Sequence, residues 1–308
     1  MTDDRPLGKR LKYGAIYWLV RFLIFIANVF PRRAWLSLCG GLGSAAYHLL
    51  PKEREKTIVH LGLAYGNKMG ARDLATMAKE VFRMLGLNGG EILRAVKVRT
   101  LADLERILVT HGFENYETAA AKGKGVVFVT GHVGPFEIMV TNMTMRGLRP
   151  FIIGTALKDQ RLNDLLFGFR NAHGATAIER GKEGLKLIKA LKSSGSVALL
   201  IDQDTKVKSR FVNFFGMQAA TPVGAAILAM KTGAIVVPAY IHYNADDGMQ
   251  HMHLFPGLPC ISTGDEEADM IANTQVYTSF LEDAIRQHPT QWVWMHERWK
   301  TRPGEEIR

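Results

Sequence analysis

The sequence predicts an α/β fold: a mostly parallel central sheet flanked by helices, with a helical, membrane-associating N-terminal region. Three observations predict it. From residue 111 onward, short β-rich runs alternate with helically periodic segments, the pattern of helices packed on a parallel sheet. Before that point, apolar residues recur at helical spacing and no strand pattern appears. Close to the N-terminus, Tyr13 to Phe30 is almost wholly apolar and bracketed by basic residues. These shifts divide the chain into a hydrophobic helix (1–33), a helical region packed on the core (34–110) and an α/β core (111–308). Hydrophobic residues make up 47% of the 308, enough for a sizeable interior, which excludes global disorder.

The N-terminal segment YGAIYWLVRFLIFIANVF approaches the roughly 20 residues that cross a bilayer. Arg21 falls in its middle, where an arginine costs about 2.5–3.5 kcal/mol on insertion scales. Lys9, Arg10 and Lys12 precede it and Arg32 and Arg33 follow, without the one-sided bias of a spanning helix. No small-residue cleavage site follows, which argues against a cleaved signal peptide. The segment is therefore expected to lie in one leaflet with its cations on lipid phosphates. Burial in the protein core is the competing reading, and a true span the less favoured one.

Residues 34–50 continue as helix through Cys39-Gly-Gly-Leu-Gly-Ser-Ala-Ala46. GGLGSA is half of a dinucleotide fingerprint, but no strand precedes it, so close helix packing explains it better. Pro51 to Lys56 opens another helix, and Ala71–Leu85 and Leu101–Leu108 keep helical spacing. After the turn Lys122-Gly-Lys-Gly125, strands are expected at Val126–Thr130, Phe151–Gly154, Val197–Ile201 and Ala234–Ile241. Pro238 marks the last as an edge strand or a bulge. Helices are expected at Gln160–His173, Gly184–Ser193, Thr221–Lys231 and Ala268–Gln287.

Lys and Arg outnumber Asp and Glu by 39 to 29, a net charge of +10 that calls for an anionic partner. The cations are scattered and no nucleic-acid module is present, which leaves a membrane surface or a phosphorylated substrate. Cys39 and Cys260 stand in no CxxC or zinc-like spacing, so a reducing, cytoplasmic setting is expected and a disulfide framework is not. His251 and His253 alternate on a strand and face one side, but no third ligand is apparent, so no zinc site is expected. Asp202 and Asp204 lack the further ligands magnesium would need. Neither metal nor cofactor is expected.

The chemistry concentrates in VVFVTGHVGPFEIMV, residues 126–140, a buried strand that bends into a helix. In open α/β sheets, reactive groups gather beyond the carboxyl ends of strands. His132 stands just past such an end, and a neutral imidazole is the natural proton acceptor near neutrality. Gly134-Pro135 turns the chain so that Glu137, in the first helical turn, can fold back to hold the ring and stabilise the imidazolium. No GxSxG nucleophile is visible, so the activated hydroxyl belongs to the substrate. Helix capping by Glu137 and a carbonyl partner for His132 make up the bland alternative.

His132-Val-Gly-Pro-Phe-Glu137 resembles the H-x4-D/E motif of glycerolipid acyltransferases, and TGHVGPFE is most similar to the lipid A biosynthesis late acyltransferases of the lauroyl/myristoyl type. That family usually has asparagine where Pro135 stands. The resemblance continues through Phe167-Gly-Phe-Arg170 and Gly174, Leu199-Leu-Ile-Asp202-Gln203-Asp204, Phe214-Phe-Gly216, Thr221-Pro222-Gly224, Ile235-Val-Val-Pro238 and Gln291-Trp-Val-Trp-Met-His-Glu-Arg298-Trp-Lys300. It implies a membrane-associated O-acyltransferase that moves a fatty acyl chain from acyl-carrier protein or CoA to a hydroxyl of a lipid A precursor. It also implies a place at the bacterial inner membrane with the site facing the cytoplasm. A lysophospholipid, aminolipid or glycolipid acceptor is the alternative, and an inert membrane scaffold a third possibility.

Beside that resemblance, each element has a reading of its own. Arg170, on a helix facing the active edge, suits bidentate binding of phosphate or sugar oxygens. Asp202, Gln203 and Asp204 follow a strand, where the carboxylates either orient Arg170 or sugar hydroxyls or merely cap a loop. Lys206, Lys208 and Arg210 precede the apolar Phe211–Phe215, a mixture for an acyl chain meeting a phosphorylated headgroup, or a solvated charge run. Arg298 is expected to bind substrate, and Trp292, Trp294 and Trp299 around it, with Lys300, form either an interfacial belt or an aromatic core edge.

Overall fold

Helical periodicity in the first third of the chain builds α1 (Leu7–Val29), α2 (Arg32–Leu49), α3 (Pro51–Tyr65), α4 (Ala71–Ala95) and the short α5 (Leu101–Glu105). The structure is a computed structural model and describes residues 6–66, 68–154, 157–179 and 183–305. Pro51 opens α3 at its first position, where the missing N–H costs nothing. The small residues of α2 do pack closely: a Cβ at Gly43 would collide with the Phe82 carbonyl of α4, and one at Gly86 with the Cys39 carbonyl. Arg32 holds this layer together through a bidentate pair with the fully buried Glu91, and the Trp35 indole donates to Gly90 O at 3.0 Å.

The rest of the chain gives β1 (Leu108–His111), α6 (Phe113–Ala120), β2 (Val126–Thr130), α7 (Glu137–Met145), β3 (Phe151–Gly154), α8 (Gln160–Asn171), β4 (Thr176–Glu179) and α9 (Gly184–Lys192). β5 (Ser196–Leu200), β6 (Ser209–Phe214), β7 (Met217–Pro222), α10 (Gly224–Thr232), β8 (Ile235–Asn244), β9 (Met249–Leu254) and α11 (Glu266–Gln287) follow. Seven strands form one sheet in the order β1-β9-β8-β2-β5-β3-β4, and β6 and β7 form a separate hairpin. Among the described residues, only the β8–β9 pair in the large sheet is antiparallel. The sheet is therefore mostly parallel, as expected.

Every residue of β2 is buried, which fits a central strand covered on both faces. Phe128 packs with Ile138, Met143 and Met252 on one face. Val127 and Val129 pack with Leu191, Tyr277 and Leu281 on the other. A third cluster joins α3 and α4 to the C-terminus around Phe214, Trp292, Trp294 and Trp299. The tryptophans are thus core; the interfacial-belt reading does not hold.

Several boundaries differ from expectation. The segment expected as helix to Leu108 turns into β1, because that stretch is needed beside β9 at the sheet edge. Thr221 and Pro222 end β7, and the helix starts at Gly224. The strands β4, β6 and β7 had no distinct sequence signal. Pro238 lies in an interior strand, at the point where the β8 ladder to β2 ends and that to β9 begins. Its missing N–H falls at that handover. Burial of the N-terminal helix in the core is also overturned: Trp18, Phe22 and Phe25 are 67%, 59% and 62% exposed. That helix is long and apolar enough to cross a membrane; one face is exposed, the other is half-covered by protein, and Ala27 is its buried residue.

Candidate active site

The register of two central strands builds the site. β2 and β5 pair in parallel with Thr130 opposite Leu200, so both chains leave the sheet together. Two residues further on, His132 and Asp202 emerge side by side. The His132 Nδ1 lies 2.8 Å from Asp202 Oδ1, and the His132 backbone N–H donates to Oδ2 at 2.7 Å. The Trp292 indole N–H donates to the same Oδ2, also at 2.7 Å. Gly131 permits this approach, since a Cβ there would stand 2.9 Å from Oδ2.

Burial by itself would raise the Asp202 carboxyl, which is 2% exposed. The charge and hydrogen bond of His132, the Trp292 N–H and the His132 backbone N–H outweigh that and hold it at about 2. Asp202 is therefore a carboxylate, which can only accept, so His132 carries its proton on Nδ1. The lone pair is left on Nε2. An imidazole held in this way is set up to take a proton and to be stabilised once it has done so.

Glu137 does not hold His132. It opens α7 at the end of the bend and pairs with Arg170 of α8, whose Nε donates to Oε2 at 2.9 Å and whose Nη2 donates to Oε1. Both side chains are buried. The expected partners are thus exchanged: Asp202 takes His132, and Glu137 takes Arg170. The strand register brings Asp202 to the ring, whereas Glu137 points to α8 across the cavity wall. Gly154 of β3 gives Arg170 its room, since a Cβ there would lie 2.5 Å from Nη1. The Phe136 ring meets His132 edge-on at 4.8 Å.

A cavity of about 460 Å³ opens on this group, within the usual size for ligand pockets. His132, Glu137 and Arg170 line it together with Gln203 and Lys208, and apolar Phe136, Ile153, Leu199, Ile201, Val207 and Ile227 complete its walls. A smaller apolar cavity behind Phe136 and Arg170 runs between Phe128, Met139, Met143 and Ile152. The remaining expected site residues fall outside these walls. Asp204 accepts from the Thr301 N–H at 2.8 Å, and Lys206 is exposed on the loop before β6.

Arg298 is fully buried; its Nη1 donates to Ala220 O and its Nη2 to Thr221 Oγ1, each at 2.5 Å, tying the C-terminus to β7, while its Nε is buried without a protein partner among the described residues. Burial lowers its pKa to about 10 against the opposing pull of Asp202 and Asp204. The Gly134 N–H, on the bend after His132, donates to Gln291 O at 2.9 Å and is not free for a substrate oxygen.

Trp292 is the residue whose bond to the site was not foreseen. Its position in an aromatic–basic stretch pointed to the core and gave no sign of Asp202.

The model of the bacterial lipid A biosynthesis acyltransferase family matches residues 5–301. Among curated proteins, a phosphatidylinositol mannoside acyltransferase of Mycobacterium tuberculosis is 26% identical over 72% of the chain. The chain spans 66% of that relative's length, just under two thirds. A lipid A biosynthesis acyltransferase of Haemophilus influenzae is 24% identical over 96% of the chain and 91% of its own. A lipid A biosynthesis lauroyltransferase of Escherichia coli is 26% identical over 93% of the chain and 92% of its own.

Proposed function

We propose, since the chain belongs to the bacterial lipid A biosynthesis acyltransferase family, that this acyltransferase uses His132 as a general base to acylate a hydroxyl of a lipid A precursor. The observation that carries the mechanism is the His132–Asp202 contact at the mouth of a largely apolar cavity. The acceptor O–H gives its proton to His132 Nε2 while its oxygen attacks the carbonyl carbon of an acyl thioester, from acyl-carrier protein or CoA. The tetrahedral oxyanion collapses, the C–S bond breaks, and the imidazolium returns its proton to the leaving thiolate. Asp202 fixes the tautomer and stabilises the imidazolium, a contribution typical of general acid–base catalysis at about 10²–10⁴-fold.

Glu137 acts through Arg170. Both line the cavity, and because Glu137 neutralises Arg170, Lys208 supplies the positive charge beside the acceptor's phosphate groups. Gln203 lines the same mouth. The acyl chain lies along Ile153, Leu199, Ile201 and Ile227. The exposed apolar face of α1 rests in one leaflet of the inner membrane, with the cavity on the cytoplasmic side. Arg161 of α8 stacks on Tyr17 of α1 at 5.1 Å, which couples the membrane helix to the helix that carries Arg170.

A mannoside-bearing phospholipid is a second acceptor, favoured by the match to the mannoside acyltransferase and by proline at position 135. Lipid mass spectrometry on cells lacking the protein, complemented by wild type or His132→Ala, separates the readings. Loss of one acyl chain from lipid A, restored by wild type alone, supports the proposal. The same His132-dependent loss from another lipid replaces the acceptor. Full restoration by His132→Ala overturns the catalytic assignment.

A further inference from the structure

On the face of the sheet opposite Ile241 and Met252, neighbouring strands bring together histidines that the sequence scatters. The register sets His111 of β1 beside His253 of β9, and His251 of β9 beside His242 of β8. We propose that this face binds a divalent transition-metal ion through His111, His251 and His253.

One ligand nitrogen from each of these three residues lies within 4.8 Å of the others. His111 Nε2 and His251 Nδ1 are 2.9 Å apart. Around a zinc ion with Zn–N bonds of about 2.0–2.1 Å, tetrahedral ligand atoms stand about 3.3 Å apart; the His111 and His253 rings, stacked with centroids 4.5 Å apart without an ion, would turn to aim their lone pairs at it. The other His251 nitrogen, Nε2, lies 2.7 Å from Asp247 Oδ2. A carboxylate only accepts, so Nε2 carries the proton and Nδ1 presents its lone pair towards His111. A carboxylate behind a histidine in this manner is the usual second partner of a metal-bound imidazole.

Without an ion, the 2.9 Å contact requires His111 Nε2 to carry a proton. Metal binding at that nitrogen moves the proton to His111 Nδ1, and the ring stays neutral. His242 sits behind His253, Nε2 to Nε2 at 3.3 Å, and stacks on His288 with centroids 3.7 Å apart. This aromatic wall restricts the rings to one side. Burial and mutual repulsion lower the His111 and His253 pKa values, in keeping with neutral ligands. Imidazole donors select zinc, nickel, cobalt or copper over magnesium or calcium.

The site is separate from the acyl cavity, none of whose lining residues it shares. The ion would pin the edge strand β1 to β9. The sequence could not reveal the third ligand, because His111 lies 140 positions before His251.

The test uses the full-length protein in detergent, stripped with a chelator and titrated with zinc chloride. Wild type is expected to bind one ion per chain and to melt at a higher temperature with zinc than without. The double variant His111→Ala/His251→Ala is expected to bind at least about 100-fold more weakly, and Asp247→Asn, which keeps all three rings, about 10–100-fold more weakly. Bound cobalt(II) should show a tetrahedral visible spectrum without a thiolate charge-transfer band. No zinc binding by wild type, a thiolate band, or unchanged affinity in both variants would overturn the proposal.

Discussion

Nδ1 of His132 lies 2.8 Å from Oδ1 of Asp202, a residue 70 positions later in the chain, because β2 and β5 are neighbours in exact-length register from Val126–Ser196 to Thr130–Leu200. The contact depends on the sheet and on Gly131, and four predictions follow from it and from its surroundings.

Replacing Asp202 by asparagine keeps the shape and removes the charge that holds the imidazole tautomer. The expected result is a fall of about 10²–10⁴-fold in kcat with the thioester KM little changed. Steady-state kinetics on the purified protein check it.

Gly131→Ala leaves every polar group in place but puts a methyl 2.9 Å from Asp202 Oδ2. The carboxylate must shift away from His132. Activity is expected to fall at least about tenfold, since misplacement of about 1 Å costs on the order of 10². Gly134→Ala should instead lose stability, because Gly134 has φ 58° and faces the Ile241 carbonyl. Thermal melts beside rate measurements distinguish the two.

The Glu137–Arg170 pair is buried on both sides. Arg170→Met alone leaves a buried carboxylate without its partner and is expected to cost about 3–5 kcal/mol; Glu137→Gln/Arg170→Met should cost less than that single change. Urea denaturation of the variants and the double mutant reads the difference.

The folded Asp202 carboxyl is held at about 2, below its ordinary value of 3.8. A depressed folded pKa stabilises the protein above the unfolded value, and that contribution is lost as pH falls through the folded one. Wild type is thus expected to lose about 2 kcal/mol from this group between about pH 4 and pH 2, beyond what Asp202→Asn loses over the same range. Denaturant midpoints measured across that window check the sign and the size.

Local patterns made much of this legible. The uniform burial of VVFVT, the helical spacing before residue 110 and the exposed apolar run of α1 each follow from neighbours in sequence. His132 and Glu137 were visible as an acid and a base on one bend. Which acid held which cation was not, because it depends on strand order: β5 pairs with β2, while α8 reaches the bend from beyond β3. Arg298 reads as a substrate ligand in an aromatic and basic stretch, yet only tertiary packing reveals that its Nη1 and Nη2 are given to Ala220 and Thr221. The short strands β1 and β4 form only because partners are present.

The most direct measurement of the central claim is the acyl-transfer rate of purified wild type, His132→Ala and Asp202→Asn under saturating thioester and acceptor. The account predicts losses of at least about 100-fold for both variants, with melting curves that remain cooperative. A His132→Ala or Asp202→Asn protein that transfers acyl groups within a few-fold of wild type would contradict it.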